Sequence, residues 1–311
     1  MKTRLLSIFA LIALTVNVQA QDTRKVDDSV LAKADAKKSD GWEKGGVVGL
    51  NLGQTALKNW SGGGQSAVSG TGLVSLFGNY QKGKSAWDNS LDLAYGLLSQ
   101  NNGPFLKSDD RIELNSKYGR QFAKSKKWYY GGLVNFRSQF TDGYATPAQT
   151  SIISRFMAPA YLTAAIGLDY KPNKYLSIFI APISSRTTFV MDNSLNAVGA
   201  FGVDSNSTYR AELGGLLMAK FTKEIFKNVG LKTQVTLFSN YMDNPQNIDV
   251  LWDLLLNMKV NKYISASIST TLIYDHDILI GLDTDNNGTI DAQGQRVQFK
   301  EVLNIGFSYK F

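Results

Sequence analysis

From Val47 to the C-terminus, apolar and polar residues alternate with a period of two rather than 3.6. Trp87, Asn89, Leu91, Leu93, Tyr95 and Leu97 alternate with Asp88, Ser90, Asp92, Ala94 and Gly96, as a strand with one greasy and one wet face requires. The same alternation runs through 128–137, 231–237 and 264–274. It predicts twelve strands, at 47–53, 67–80, 86–100, 110–122, 128–140, 160–170, 175–188, 210–221, 230–241, 249–260, 263–274 and 297–311. Their connections alternate in length. Those at 81–85, 123–127, 171–174, 222–229 and 261–262 are short and rich in Lys or Asn, whereas those at 54–66, 101–109, 141–159, 189–209, 242–248 and 275–296 are mostly longer.

An even number of long strands with short turns at one end and long loops at the other points to an all-β fold, a transmembrane antiparallel barrel of the outer-membrane type. Hydrocarbon offers backbone amides no partner, so a sheet crosses it only when closed, and a tilted strand of about 9 to 11 residues suffices. Tyr80, Trp87, Phe122, Trp128, Tyr170, Tyr175, Phe221 and Tyr263 flank the short turns, and Phe140, Tyr241, Trp252, Tyr274 and Phe299 lie nearer the long loops, as two interfacial girdles would place them. A soluble β-sandwich and a soluble barrel with a ligand cavity are the competing folds.

Residues 1–20 open with Lys2 and Arg4, continue through an apolar run of about a dozen residues and end at Val18-Gln19-Ala20, so they read as a secretory signal peptide. The run is too short for a bilayer-spanning anchor, which needs roughly 20 residues. Residues 21–44 carry alternating Lys and Asp with few large apolar groups and read as a flexible charged arm, leaving 45–311 for the barrel. The chain has no Cys, which removes disulfides, thiolate metal sites and cysteine nucleophiles together. A formal charge of +7 over 311 residues gives little reason to expect a nucleic-acid partner.

In the last segment Leu303, Ile305, Phe307, Tyr309 and Phe311 form an alternating apolar face ending on the terminal Phe. Phe307, Tyr309 and Phe311 resemble the C-terminal signal read by the outer-membrane insertion machinery, which would be a partner during biogenesis. Gly41-Trp42, Gly45-Gly46, the Asn59-Trp60-Ser61-Gly62-Gly63 run, Ala181-Pro182-Ile183-Ser184 and Gln298-Phe299-Lys300-Glu301-Val302-Leu303 together resemble the Bacteroidota family called domain of unknown function 3078 (DUF3078). The resemblance spans about residues 41–311. It implies an outer-membrane barrel of a didermic bacterium, in contact with outer-membrane lipid, and carries over no catalytic residue.

Three motifs invite chemistry. Gly78-Asn79-Tyr80-Gln81-Lys82-Gly83-Lys84-Ser85 satisfies the phosphate-loop pattern, but a period-two strand follows where that loop needs a helix, so it reads as a cationic hairpin turn. Asp283, Asp285, Asn287 and Asp291 occupy positions 1, 3, 5 and 9 of a calcium-like loop with Gly288 at position 6. Position 12 is Gly294 rather than a bidentate Glu, so the expectation is at most weak Ca²⁺ binding that stiffens an outer loop, against a solvated Asn-Gly turn. No other cofactor is expected. His276, the single histidine, lies between two aspartates near the rim, with no nucleophile motif to pair with; a lipid-acting enzyme is the third and least favoured reading.

The strand phase sends a set of charges inward: Asp88, Asp92, Arg111, Glu113, Lys117, Arg137, Arg210, Glu212, Lys232, Asp253 and Lys259. Facing lipid, the basic ones would each cost about 2–4 kcal/mol at the bilayer midplane. Twelve strands leave a lumen that such charges either line or fill. The sequence therefore predicts a non-enzymatic barrel with periplasmic termini. It is read first as a narrow passive pore for small solutes, with Arg111, Lys117 and Arg137 in its lining, and alternatively as a non-transporting barrel that supports other envelope proteins.

Overall fold

The computed structural model describes residues 40–57, 65–122, 125–144, 151–205, 207–261, 263–282 and 291–310. Residues 1–20, read above as a signal peptide, residues 21–39 of the expected arm, the Asn59 to Gly63 run, Asp283, Asp285, Asn287 and Phe311 lie outside the described residues.

Twelve antiparallel strands close into one barrel. In chain order they are β1 (Gly41–Thr55), β2 (Ala67–Lys82), β3 (Ser85–Gln100), β4 (Leu106–Gln121), β5 (Trp128–Ser138), β6 (Ala160–Tyr170), β7 (Leu176–Phe189), β8 (Tyr209–Phe226), β9 (Val229–Asn240), β10 (Ile248–Lys259), β11 (Ile264–Tyr274) and β12 (Gln298–Lys310). Each pairs with the next, and β12 returns to β1. The phosphate-loop-like segment is the β2–β3 hairpin, in which Lys82 pairs with Ser85 across Gly83-Lys84.

Exposure runs opposite to that of a soluble protein. Ile166, Ile183 and Ile305 are 68%, 62% and 64% exposed, whereas Arg111 and Glu212 are each 2% exposed. An outer surface of Val, Leu, Ile, Phe and Tyr round an inner surface carrying the charges is the partition hydrocarbon imposes on a closed sheet. Among the described residues no helix is long and apolar enough to cross a membrane. Trp42 stacks on Tyr80 and Trp87 at 5.3 and 5.8 Å, and Trp128 on Tyr170 at 4.6 Å, which forms an aromatic girdle at the short-turn end.

The charged arm ends earlier than its composition suggests. Gly41, Trp42, Glu43 and Lys44 belong to β1, paired with Gln81, Tyr80, Asn79 and Gly78. The cause is aromatic packing by Trp42 together with a complete backbone ladder to β2, neither of which a count of charges registers. At the other end two long connections fold on each other. Ala158, Val190, Leu195 and Val203 form a buried cluster, and Arg155 holds Asp142 at 2.7 Å and Asp192 at 2.6 Å. Asp192 also caps the short helix Asn193–Ala197, accepting from the amides of Ser194 and Leu195.

The strand phase slips once in β7. Ile166 and Leu168 of β6 face Ile183 and Ile180, and Leu216 and Gly214 of β8 face Ala181 and Ser184, so Pro182-Ile183 inserts one extra residue against both neighbours. Proline has no amide to give to a ladder and is tolerated at such a bulge. The bulge presses the backbone inward on Gly167, where a Cβ would stand 2.1 Å from the Ile180 carbonyl oxygen.

Candidate functional site

The register sends Asp88, Asp92, Arg111, Glu113, Lys117, Arg137, Arg210, Glu212, Lys232, Asp253 and Lys259 all to the lumen face, because each lies opposite another inward position on its neighbouring strand. They do not form one cluster. They fall into layers along the barrel, joined by lumen residues outside the predicted set.

Near the short-turn end Asp88 lies opposite Lys117. Lys117 reaches Asp169 at 2.5 Å, Lys171 approaches the same carboxylate at 3.4 Å, and Ser177 donates to it at 2.6 Å. The Lys117 ammonium also stands 5.3 Å from the Phe179 ring. Lys232 faces Thr222, and Lys259 is exposed at the same end.

At mid-barrel Asp92 accepts from the Ser75 hydroxyl and lies opposite Glu113, while Arg111 lies opposite Ala94. Glu113 accepts from Asn135 at 3.1 Å and lies opposite Arg137, whose guanidinium covers the Tyr161 ring at 5.1 Å. Across the barrel Asp253 accepts from the Thr271 hydroxyl at 2.9 Å. Arg111, Glu113, Asp253 and Thr271 are all buried, so at this depth side chains fill the lumen.

The long-loop mouth holds the densest array. Arg186 grips Glu212 through Nε at 2.8 Å and a terminal nitrogen at 2.9 Å. It also donates to Asp249 at 2.6 Å, lies 3.6 Å from Asp275 and covers the Phe238 ring at 4.4 Å. Arg210 adds Asp277 at 3.2 Å and Glu212 at 3.5 Å. Gly202 of the folded loop lies against the Arg210 guanidinium, which a Cβ there would meet at 2.8 Å, so this loop leans over the mouth. Burial raises the carboxyls of Asp275 and Asp277 above the ordinary carboxylate range, against the pull of Arg186 and Arg210. In the loops, the Arg155 hydrogen bond holds the Asp142 carboxyl low, and the Ser194 hydroxyl with the helix-start amides holds Asp192 at about 2.

Sequence reasoning missed Arg186 because the β7 bulge reverses the phase before it. The proline at 182 was the available signal. It also missed Asp169 and Asp249, which carry the phase of their strands' inward residues but stand at strand ends, where turn and strand look alike. The lumen is, moreover, less uniformly wet than alternation suggests. Leu133, Ala165, Phe179, Ala181, Leu216 and Phe238 form a buried apolar cluster on the inner wall. Of the calcium-loop residues only Asp291 is described. Phe307 and Tyr309 face outward, each 62% exposed. His276 meets the Tyr274 hydroxyl at 3.2 Å.

These features define a transmembrane barrel with a charge-filled lumen. Residues 52–144, from β1 to just past β5, match the model of a family described as protein of unknown function (DUF3078). The match supports, over that stretch, the family that the sequence resembles. No curated protein matches the chain. Among solved structures it is similar to an outer membrane channel from Pseudomonas putida F1, at 11% identity and TM-score 0.42 over 92% of this chain and 100% of that one. It is also similar to the translocator domain of autotransporter NalP from Neisseria meningitidis (10%, 0.40, 91% and 93%) and to the NanC porin (12%, 0.40, 86% and 100%).

Proposed function

We propose that the protein is an outer-membrane barrel that conducts small solutes through a narrow lumen, closed at its long-loop mouth by exchangeable ion pairs. The short turns and both termini face the periplasm and the long loops face outward. The observation that carries the reading is Arg186, which leaves β7 at the mouth to reach Asp249 on β10 and approach Asp275 beyond β11, tying together strands three and more places apart rather than neighbouring strands alone. Ion pairs trade partners with water and ions, so a mouth closed by them is a gate where an apolar plug would be a stopper. The filled mid-barrel, with Arg111, Glu113 and Asp253 buried, favours the second reading, a non-transporting barrel that supports other envelope components.

Purified protein in planar bilayers separates the two. The pore reading expects small or infrequent conductance steps for the wild type and larger or more frequent ones for Arg186→Gln. Silence from both proteins, with folding verified, overturns it in favour of the supporting role.

A further inference from the structure

The barrel closes along an incomplete seam. β1 pairs with β2 along its whole length, Gly41 to Thr55, and β12 pairs with β11 from Gln298 to Phe307. Between β1 and β12, however, the ladder runs only from Val47 opposite Lys310 to Asn51 opposite Gly306. Beyond that rung no backbone pairing joins Leu52–Thr55 to β12 among the described residues, and β12 from Gln298 to Ile305 pairs on one side only. Each strand follows its other neighbour and the two diverge towards the long-loop end. At the last paired rung the two strands still stand close, since a Cβ on Gly306 would meet the Asn51 side-chain oxygen and the Leu50 carbonyl oxygen.

An unpaired strand edge in hydrocarbon is costly for every orphaned polar group, so water from the lumen must reach these backbone groups, which makes the gap an opening between lumen and bilayer. The walls say what enters. At the apex lies a groove of about 200 Å³ bounded by Leu52, Ile264, Ile305, Gly306 and Phe307. It is continuous with the lipid-facing belt, and Leu52, Leu303 and Ile305 beside it are 67%, 66% and 64% exposed. In the strand order the wall facing this seam is β6–β7. The apolar lumen cluster of Leu133, Ala165, Phe179, Ala181, Leu216 and Phe238 is centred there, on β5 to β9.

We propose that the long-loop half of the β1–β12 seam is a lateral slit that admits one alkyl chain of a membrane amphiphile from the bilayer into the lumen, towards the apolar wall opposite. The inference rests on the membrane-spanning barrel of the proposed function but not on its conductance.

The test uses the full chain in phosphatidylcholine nanodiscs containing a phosphatidylcholine with a diazirine on its acyl chain, with adducts mapped by mass spectrometry after illumination. Lumen-facing Val302, Phe179 and Phe238 are expected to carry adducts alongside outward-facing Leu303 and Ile305. Adducts confined to outward side chains overturn the proposal. Because the chain has no Cys, Gln54→Cys with Leu303→Cys introduces a single possible disulfide, at positions that would face each other if the Asn51–Gly306 register continued. Oxidation should abolish the lumen adducts and reduction restore them, and lumen adducts that persist in the oxidised pair overturn the slit. Conductance of the same preparations reports the pore reading separately, so lumen adducts in a silent protein retain the slit and remove the pore.

Discussion

Arg186 on β7 donates to Asp249 on β10 at 2.6 Å, so a single guanidinium ties together strands three places apart in the barrel wall. The same group grips Glu212 on β8, which is 2% exposed. Removing one partner of a buried charge pair costs about 3–5 kcal/mol because the other is left uncompensated. Arg186→Gln should therefore lower the temperature at which the barrel unfolds in SDS. Asp249→Asn should lower it less, since Glu212 remains to hold the guanidinium. Equal effects would show that Glu212 does not hold the guanidinium once Asp249 is neutralised.

The mouth should respond to acid before the barrel does. Asp275 and Asp277, beside Arg186, Arg210, Asp249 and Glu212, have carboxyls raised by burial. A raised acid holds its proton in the folded protein where the unfolded chain has released it. These two groups therefore add stability as pH falls into the window just above the ordinary carboxylate value of about 4, and lose it as pH rises through that window. Protonation there also cancels their attraction for the two arginines. Conductance should accordingly rise as pH drops into this window, while the unfolding temperature does not fall on account of these groups. Titrating the bilayer recordings checks it, and Asp275→Asn with Asp277→Asn should abolish the response.

The folded loops behave in the opposite sense. Asp142 is held low chiefly by Arg155, and Asp192 at about 2 chiefly by Ser194, while the Arg155 guanidinium is pushed further from deprotonation. Depressed carboxyls contribute stability that is whole above about pH 4 and fades as pH falls through their folded values. Pepsin should thus cut within the connections 139–159 and 190–208 slowly at pH 4 and readily near pH 2, each relative to an unfolded control, and Arg155→Ala should be cut readily at both. Equal cutting of the wild type at the two values would show that the clasp does not hold the loops.

The β7 bulge makes Gly167 irreplaceable. A Cβ would lie 2.1 Å from the Ile180 carbonyl oxygen, whereas at Gly132 the nearest atom is 3.4 Å away. Gly167→Ala should cost about 1–3 kcal/mol of strain and Gly132→Ala much less. The fraction migrating as folded barrel in unheated SDS gels measures both, and a normally folded Gly167→Ala would place the bulge elsewhere.

How much was legible depends on the kind of information a period carries. The twelve strands could be read to within a few residues at most ends because lipid and lumen impose opposite demands on alternate side chains. β1 escaped by six residues at its start, since Glu43, Lys44 and the glycines beside them hide the phase that Trp42 anchors against Tyr80 and Trp87. The inward charges were legible wherever the phase ran unbroken, as from Asp88 to Asp92 or Arg111 to Lys117. Arg186 was not, because one inserted residue at Pro182-Ile183 turns every later side chain of β7 to the other face.

By itself the sequence determined a closed sheet for a membrane, because a side-chain period of two in long strands leaves each face a single solvent to meet. Only the tertiary structure decided which charges reach one another and where the wall parts. Arg186 meets Asp249 through the curvature of the barrel, and β1 leaves β12 after Asn51 because each follows its other neighbour. Both are relations between segments far apart in the chain, and a pattern of local alternation holds no record of the distance across a lumen.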